Sequence, residues 1–245
     1  VSSSVYLAAG IASEGQLELY PKSWRRDGTM PGVLVAHGAG GTALECRTNS
    51  GSNLNWYKFI DALVESGYAV LSLDFGGNTW GNVTAMSRMD AAFTYLTTTM
   101  GASSAKVGIV GQSMGHLTAM NWAAQNRSKV AYVVSSMGVA NLANIYGNSA
   151  YTAQINIAYS GAYSDATYGA TYNPYVNTAT KFSGLPWLGF AGDSDTTCPP
   201  AFTDTLASRI GSTAKVIKAT GGAHNWDTTG LWDKDAMLAF VKTNT

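Results

Sequence analysis

The chain has 245 residues, equal numbers of Lys+Arg and Asp+Glu, and only 12% charged residues, against about 25% in an ordinary soluble domain. Zero net charge argues against a nucleic-acid binder, which needs a basic surplus to hold phosphate, and 46% hydrophobic residues exclude a solvated tail. No apolar run approaches the ~18 residues that cross a bilayer, and two cysteines, Cys46 and Cys198, are too few for a disulfide scaffold or a closed zinc cluster.

Short apolar runs rich in β-branched residues, bounded by Gly, Pro and Asp, alternate along the chain with segments of helical period. Strands are expected at 16–20 and 32–36, a helix at 54–65, a strand at 69–74, a helix at 83–97, a strand at 106–110 and a helix at 115–125. A strand at 130–135 follows, then strands at 185–191 and 215–219 separated by a helix at 201–210, and a last helix at 231–241. Continuous apolar strands are those of a sheet covered on both faces. Their alternation with helices implies right-handed crossovers and a mostly parallel sheet, with ligands at the carboxyl ends of its strands. No repeat, charge block or linker divides the chain, so residues 1–245 read as a single domain.

The interval 137–183 breaks the alternation. Its only formal charges are Asp165 and Lys181, and it holds Tyr146, Tyr151, Tyr159, Tyr163, Tyr168, Tyr172 and Tyr175. A structureless loop of this length is uncommon in a compact domain. The segment is expected to be an ordered insertion, a small cap over the sheet edge. Its tyrosines either pack the cap or line a cleft for sugars or acyl chains.

Gly111-Gln112-Ser113-Met114-Gly115 has the form G-x-S-x-G. The pentapeptide recurs by chance, but here it joins an expected strand to an expected helix, the setting of a nucleophile elbow. A serine hydroxyl needs a base within hydrogen-bond reach and an acid that orients the base. Of three histidines, His37 follows a strand in Ala36-His37-Gly38-Ala39-Gly40-Gly41 and suits bracing that loop. His116 lies in the helix that Ser113 opens, where it points away. His224 follows the last strand, and is the best base. Gly192-Asp193-Ser194-Asp195-Thr196-Thr197-Cys198-Pro199 lies between, after a strand, and offers two acids, Asp193 and Asp195.

In this order of Ser, Asp and His the chain resembles the α/β-hydrolase superfamily, close to its dienelactone-hydrolase and esterase branch, over nearly its whole length from Gln16. The resemblance implies the α/β-hydrolase fold. The family's acid commonly stands as G-x-x-D with proline four residues on, which favours Asp195 over Asp193. Carried over, Ser113 is the nucleophile, His224 the base and Asp195 the residue that sets the imidazole tautomer. The oxyanion donors implied are the amides of Met114 and of Ala39, with Gly40 as the alternative to Ala39. In this family glycine often follows the elbow, where this chain has His116.

The function expected is a serine esterase acting through an acyl-enzyme on an uncharged ester, a small molecule or polymer such as an acetylated polysaccharide, lipid or polyester. Neither metal nor organic cofactor is implied: H-E-x-x-H, a phosphate loop and a dinucleotide fingerprint are all absent. Two alternatives are a peptidase or amidase on the same scaffold, and a non-catalytic surface or phage-tail binding module. Cys46 follows the oxyanion loop and Cys198 the acid, so a disulfide between them is expected as readily as two buried thiols. A bridge fits the extracellular setting that the low charge suggests. Asn82-Val83-Thr84 and Asn126-Arg127-Ser128 match the glycosylation sequon.

Overall fold

The computed structural model describes residues 3–48, 51–176 and 178–245. An eight-stranded sheet in the order β1-β2-β4-β3-β5-β6-β7-β8 spans the molecule. Its strands are β1 (Ser3–Leu7), β2 (Gln16–Tyr20), β3 (Gly32–Ala36), β4 (Ala69–Leu73), β5 (Val107–Gln112), β6 (Val130–Ser136), β7 (Trp187–Gly192) and β8 (Ala214–Ala219). β1 and β2 are antiparallel to their neighbours, and from β4 onward every pair is parallel. The expected mostly parallel architecture is therefore present.

Strand β1 was not expected from the sequence. It is exposed along its whole length, so it carries none of the apolar signal by which the buried strands announce themselves. Next to it, β2 buries Glu18, whose carboxylate accepts hydrogen bonds from Gln16, Tyr20 and Tyr95. That satisfies a charge which would otherwise be costly in a core strand.

Period-two alternation divides the core between the two faces. In β3, Leu34 and Ala36 join one apolar cluster while Val33 and Val35 join the other, and in β6 Val133 opposes Tyr132 and Val134. Helices α2 (Val83–Thr98), α3 (Gly115–Gln125) and α8 (Pro200–Ile210) supply Met89, Met120 and Leu206 to the first face. Helices α1 (Leu54–Glu65) and α9 (Lys234–Asn244) supply Phe59, Leu63, Met237 and Val241 to the second. Phe59 is fully buried and meets Phe190 and Trp232 edge-on at 5.7 and 5.8 Å. Truncating such a side chain costs about 3–5 kcal/mol. Trp226 stacks on Trp232 at 5.5 Å, anchoring the loop after β8 to this face.

The described residues of the Tyr-rich interval are ordered. They contain α4 (Leu142–Tyr146), α5 (Ser149–Ala158), a π-helical turn over 165–169, α6 (Ala170–Tyr172) and α7 (Thr178–Phe182). Asn141 and Asn148 cap α4 and α5, the Asn141 side chain accepting the amides of Ala143 and Asn144 and that of Asn148 the amide of Ala150. Tyr159 packs on Tyr163, Tyr168 and Tyr172 with ring centroids 4.9–5.8 Å apart. These rings and Leu142, Ile145 and Ile155 form a third apolar cluster with Trp80, Met114 and Leu117. The segment thus sits over the carboxyl end of the sheet. Asp165, one of its two charges, is bound by the Tyr163 hydroxyl at 2.6 Å and the Asn173 amide at 2.9 Å.

The α9 expectation was shifted. Residues 229–232 form a separate 3-10 turn, and α9 begins only after Asp233, whose carboxylate accepts the amides of Asp235 and Ala236. A capping aspartate placed inside an apolar run is what moved the boundary.

Candidate active site

Ser113 occupies the turn between β5 and α3 with φ +49°. Left-handed backbone is uncommon for a residue with a side chain, and it is held here by long-range contacts: the Ser113 amide donates to the Ser136 carbonyl at 3.0 Å, and its carbonyl accepts from Val139 at 3.1 Å. The turn also needs Gly115, because a Cβ there would stand 2.1 Å from the Ala36 carbonyl oxygen of β3. So constrained, the Ser113 hydroxyl is raised above the strand ends.

His224 lies in the loop after β8 and reaches over Ser113. Its Nε2 is 3.0 Å from Ser113 Oγ, and its Nδ1 is 2.8 Å from Asp195 Oδ2. With the Nδ1 proton donated to the carboxylate, Nε2 is left to accept the serine proton. Asp195 comes from the loop after β7 and is buried, 3% exposed. Its second oxygen, Oδ1, accepts the amides of Thr197 and Cys198 at 2.9 and 2.7 Å, so the carboxylate is fixed from both ends. The acid and histidine loops are tied by Ser194 N donating to Gly222 O at 2.9 Å. Of the two acids, Asp195 is thus the one beside His224. Among the described residues, the Asp193 carboxylate accepts only from the neighbouring Ser194 hydroxyl.

The other histidines are placed elsewhere. His37 is buried with one ring nitrogen 2.7 Å from the Gly38 carbonyl and the other 2.8 Å from the Asp74 carbonyl, bracing the loop after β3. Asp74 also accepts the Ala43 amide at 2.7 Å. His116 is fully buried, its Nδ1 donating to Val139 O at 3.1 Å and its ring stacked on Trp187 at 5.4 Å. Burial pushes its pKa down to about 4. A bulky residue is accommodated after the elbow because Gly138 faces it: a Cβ on Gly138 would come within 2.7 Å of the ring.

Of the three amides expected to serve as oxyanion donors, two stay open. The amides of Ala39 and Met114 donate to no protein group among the described residues, whereas the Gly40 amide donates to Asn78 Oδ1 at 2.7 Å. Gly40 is therefore not a free donor, and the expectation for it is corrected: its N–H is spent on shaping the loop. Asn78 in turn donates through Nδ2 to Gln154 Oε1 of α5 at 2.8 Å, linking the oxyanion loop to the Tyr-rich segment. Nothing in the sequence singled out Asn78. The available signal was its place after Gly76-Gly77 at the carboxyl end of β4, where a functional loop is expected.

The expected Cys46–Cys198 disulfide is not formed; both cysteines are free and buried. Cys46 packs into the α1/α9 face with its thiol 3.6 Å from the Ala43 carbonyl. Cys198 belongs to the cluster beneath the Tyr-rich helices. Although both loops lie at one end of the sheet, the two side chains enter different apolar layers. Asn82 is buried as the cap of α2, accepting the amides of Thr84 and Ala85 and donating to the Ala158 carbonyl, so that sequon presents no free acceptor in the folded chain.

Beside the triad, Trp80, Val139, Ile155 and the half-buried Tyr151 surround Met114 with apolar surface, the Tyr151 ring edge-on to Trp80 at 5.3 Å. A larger hollow of about 610 Å³ opens among Gly32, Lys106 and Tyr132. That hollow is at the amino ends of β3, β5 and β6, the opposite end from Ser113. Among the described residues, the one grouping of His, Cys, Asp or Glu with donor atoms mutually within 4.8 Å is Asp195, Cys198 and His224. No described helix is long and apolar enough to cross a membrane.

Comparison with known proteins agrees with this fold. Residues 31–149 match the sequence profile of the α/β hydrolase fold family. No curated protein sequence matches the chain. Among solved structures, the fluorophosphonate-binding serine hydrolase FphF of Staphylococcus aureus superposes with a TM-score of 0.77 at 15% identity, covering 98% of each chain. Carboxyl esterase 2 of the mycorrhizal fungus Tuber melanosporum gives 0.68 at 16% identity, over 100% of this chain and 88% of the esterase. A puromycin-hydrolyzing peptidase of Mycobacterium tuberculosis gives 0.70 at 16% identity; the match takes in 99% of this chain but only 39% of the peptidase. Profile, strand order and superposition agree on one architecture, and the chain has the α/β-hydrolase fold.

Proposed function

We propose that the protein is a serine hydrolase that cleaves an uncharged carboxylic ester. The observation that carries the reading is the unbroken relay of Ser113 Oγ, His224 and Asp195 at 3.0 and 2.8 Å, with the serine held in a left-handed turn. In this reading Ser113 Oγ attacks the acyl carbon as its proton passes to His224 Nε2. The negative oxygen that forms is met by the amides of Ala39 and Met114, each worth on the order of 10²–10³ in turnover in such sites. His224 then gives the proton to the departing alkoxide, releasing the alcohol and leaving the acyl group on Ser113. Water, deprotonated by the same nitrogen, attacks the acyl-enzyme and frees the acid. Asp195 keeps Nδ1 protonated throughout and offsets the charge of the imidazolium.

An uncharged substrate is supported by the apolar cluster of Trp80, Val139, Ile155 and Tyr151 that packs with Met114 beside the nucleophile. An extracellular or cell-envelope polymer or lipid ester is the natural class for so weakly charged a chain. A second reading, peptidase or amidase, is favoured by the likeness to the puromycin-hydrolyzing peptidase. Against it, this chain matches well under half of that protein.

The test combines a fluorophosphonate probe with a panel of p-nitrophenyl esters and p-nitroanilides of matched acyl groups. Covalent labelling of the wild-type chain that is absent in Ser113→Ala, with ester turnover exceeding anilide turnover, is expected. Folded wild-type protein that resists the probe overturns the serine-hydrolase reading; faster anilide cleavage overturns the esterase reading.

A further inference from the structure

The short loop that presents the catalytic acid also brings a thiol to it. Asp195 Oδ1 accepts the amides of Thr197 and Cys198, and this tight turn folds Cys198 back toward the residue that made it. Its Sγ, an Asp195 oxygen and a His224 ring nitrogen all lie within 4.8 Å of one another. The thiol is buried, 7% exposed, and makes no hydrogen bond among the described residues. Thiolate, imidazole and carboxylate are the three ligand types of zinc, and around one tetrahedral ion such atoms stand roughly 3.3–3.6 Å apart. The observed spacings, 2.8 Å between Asp195 Oδ2 and His224 Nδ1 and at most 4.8 Å within the set, bracket that arrangement. Magnesium and calcium are poorly served, because they take six or more oxygens.

We propose that Asp195, Cys198 and His224 form an inhibitory site for a borderline-soft divalent cation, zinc foremost. The binding itself stands on the three donors alone; the inhibition rests on the reading of His224 as the base. In balanced terms, Zn²⁺ forms a bond to Cys198 Sγ as the thiol S–H breaks, and one proton goes to water. Zn²⁺ also takes the lone pair at His224 Nδ1, the nitrogen that faces Asp195. The ring's one proton, displaced from Nδ1, is then carried on Nε2. An Nε2–H cannot accept the proton of Ser113, so the nucleophile is no longer activated. Without an ion the thiol stays protonated, since burial and then the nearby Asp195 carboxylate raise its pKa well above the usual value.

Cobalt(II) and zinc chloride in chelator-free buffer are the probes. Ser113→Ala, which retains all three donors, is expected to give the near-ultraviolet thiolate-to-cobalt charge-transfer band, and Ser113→Ala/Cys198→Ala is expected to lack it. With p-nitrophenyl acetate, wild-type activity should fall on adding ZnCl₂ and return with EDTA, while MgCl₂ leaves it unchanged. The zinc concentration for half-inhibition should rise at least tenfold in Cys198→Ala, each protein being compared with its own metal-free rate. Cys198→Ser replaces the alanine variant if circular dichroism shows that the latter is unfolded. No charge-transfer band from folded Ser113→Ala, or zinc sensitivity equal in wild type and the Cys198 variant, overturns the proposal. A cobalt band from Ser113→Ala together with folded wild-type protein that no fluorophosphonate labels sustains the metal site while overturning the hydrolase reading instead.

Discussion

Asn78 offers a sharp test of how the oxyanion loop is held. Its side chain bridges the Gly40 amide at 2.7 Å and Gln154 Oε1 at 2.8 Å, so Asn78→Ala removes both bonds. The Gly40 N–H is then left to water, and the loop bearing Ala39 loses its tie to α5. A net hydrogen bond contributes about 0.5–1.5 kcal/mol, so with two bonds lost the productive loop position loses about 1–3 kcal/mol relative to displaced ones. At 1.36 kcal/mol per factor of ten, kcat is expected to fall roughly 5–150-fold. The upper limit is the ~10²–10³ that follows outright loss of one oxyanion donor. KM should change little, because the donor matters most once charge has developed on the oxygen. The assay is steady-state hydrolysis of p-nitrophenyl acetate, with active sites counted by fluorophosphonate titration and unfolding followed by circular dichroism. Gln154→Ala severs only the outer bond and should lose less than Asn78→Ala. An Asn78→Ala enzyme with unchanged kcat, or one whose loss is accounted for by the unfolded fraction alone, refutes the positioning argument.

Further outcomes are expected at the triad and in the core. Asp195→Asn keeps the side-chain shape but favours the wrong imidazole tautomer, and kcat should drop by about 10⁴ at neutral pH; a loss below tenfold would remove Asp195 from the relay. His116 is neutral in the fold, with its pKa near 4 rather than 6.5 because of burial. Between those values the unfolded chain binds a proton that the folded chain does not. Stability from this site is therefore complete above about pH 6.5 and lost as pH falls toward 4, by about 3 kcal/mol. Urea unfolding of wild type and His116→Phe at pH 7 and 4.5 measures it: the variant should lose less stability on acidification, and equal losses would contradict the assignment.

How legible the site was depended on whether a residue announces itself through its neighbours in sequence. Ser113 does, since a strand, two glycines and a helix frame it within a few positions. His224 was reached by elimination among three histidines and by its place after the last strand. Asp195 was separated from Asp193 by the resemblance rather than by any local property, and only the loop geometry shows why: Oδ1 is engaged by its own turn, which aims Oδ2 at the imidazole. Asn78 was invisible, because its role consists of two bonds to residues far away in sequence, Gly40 and Gln154.

The fold divides along the same line. Apolar runs with β-branched residues determined β2 to β8 to within about two residues, because β2 to β7 are covered on both faces and bury almost every side chain, and the half-exposed edge strand β8 still carries Val216 and Ile217. They also determined the crossovers, because helices of matching period stand between them. Exposed β1 has no such signal, and the start of α9 was set by Asp233 as a cap. What only tertiary structure decided is which atoms meet at the carboxyl end of the sheet. It sent Cys46 and Cys198 into separate apolar layers, committed Gly40 to Asn78, and laid the Tyr-rich segment against Trp80 and Met114. Such outcomes follow from the register of β3, β5, β7 and β8 and the directions of four loops. The low charge that marked the sequence from the start now has a place in the structure, in the uncharged aromatic layer packed beside the nucleophile.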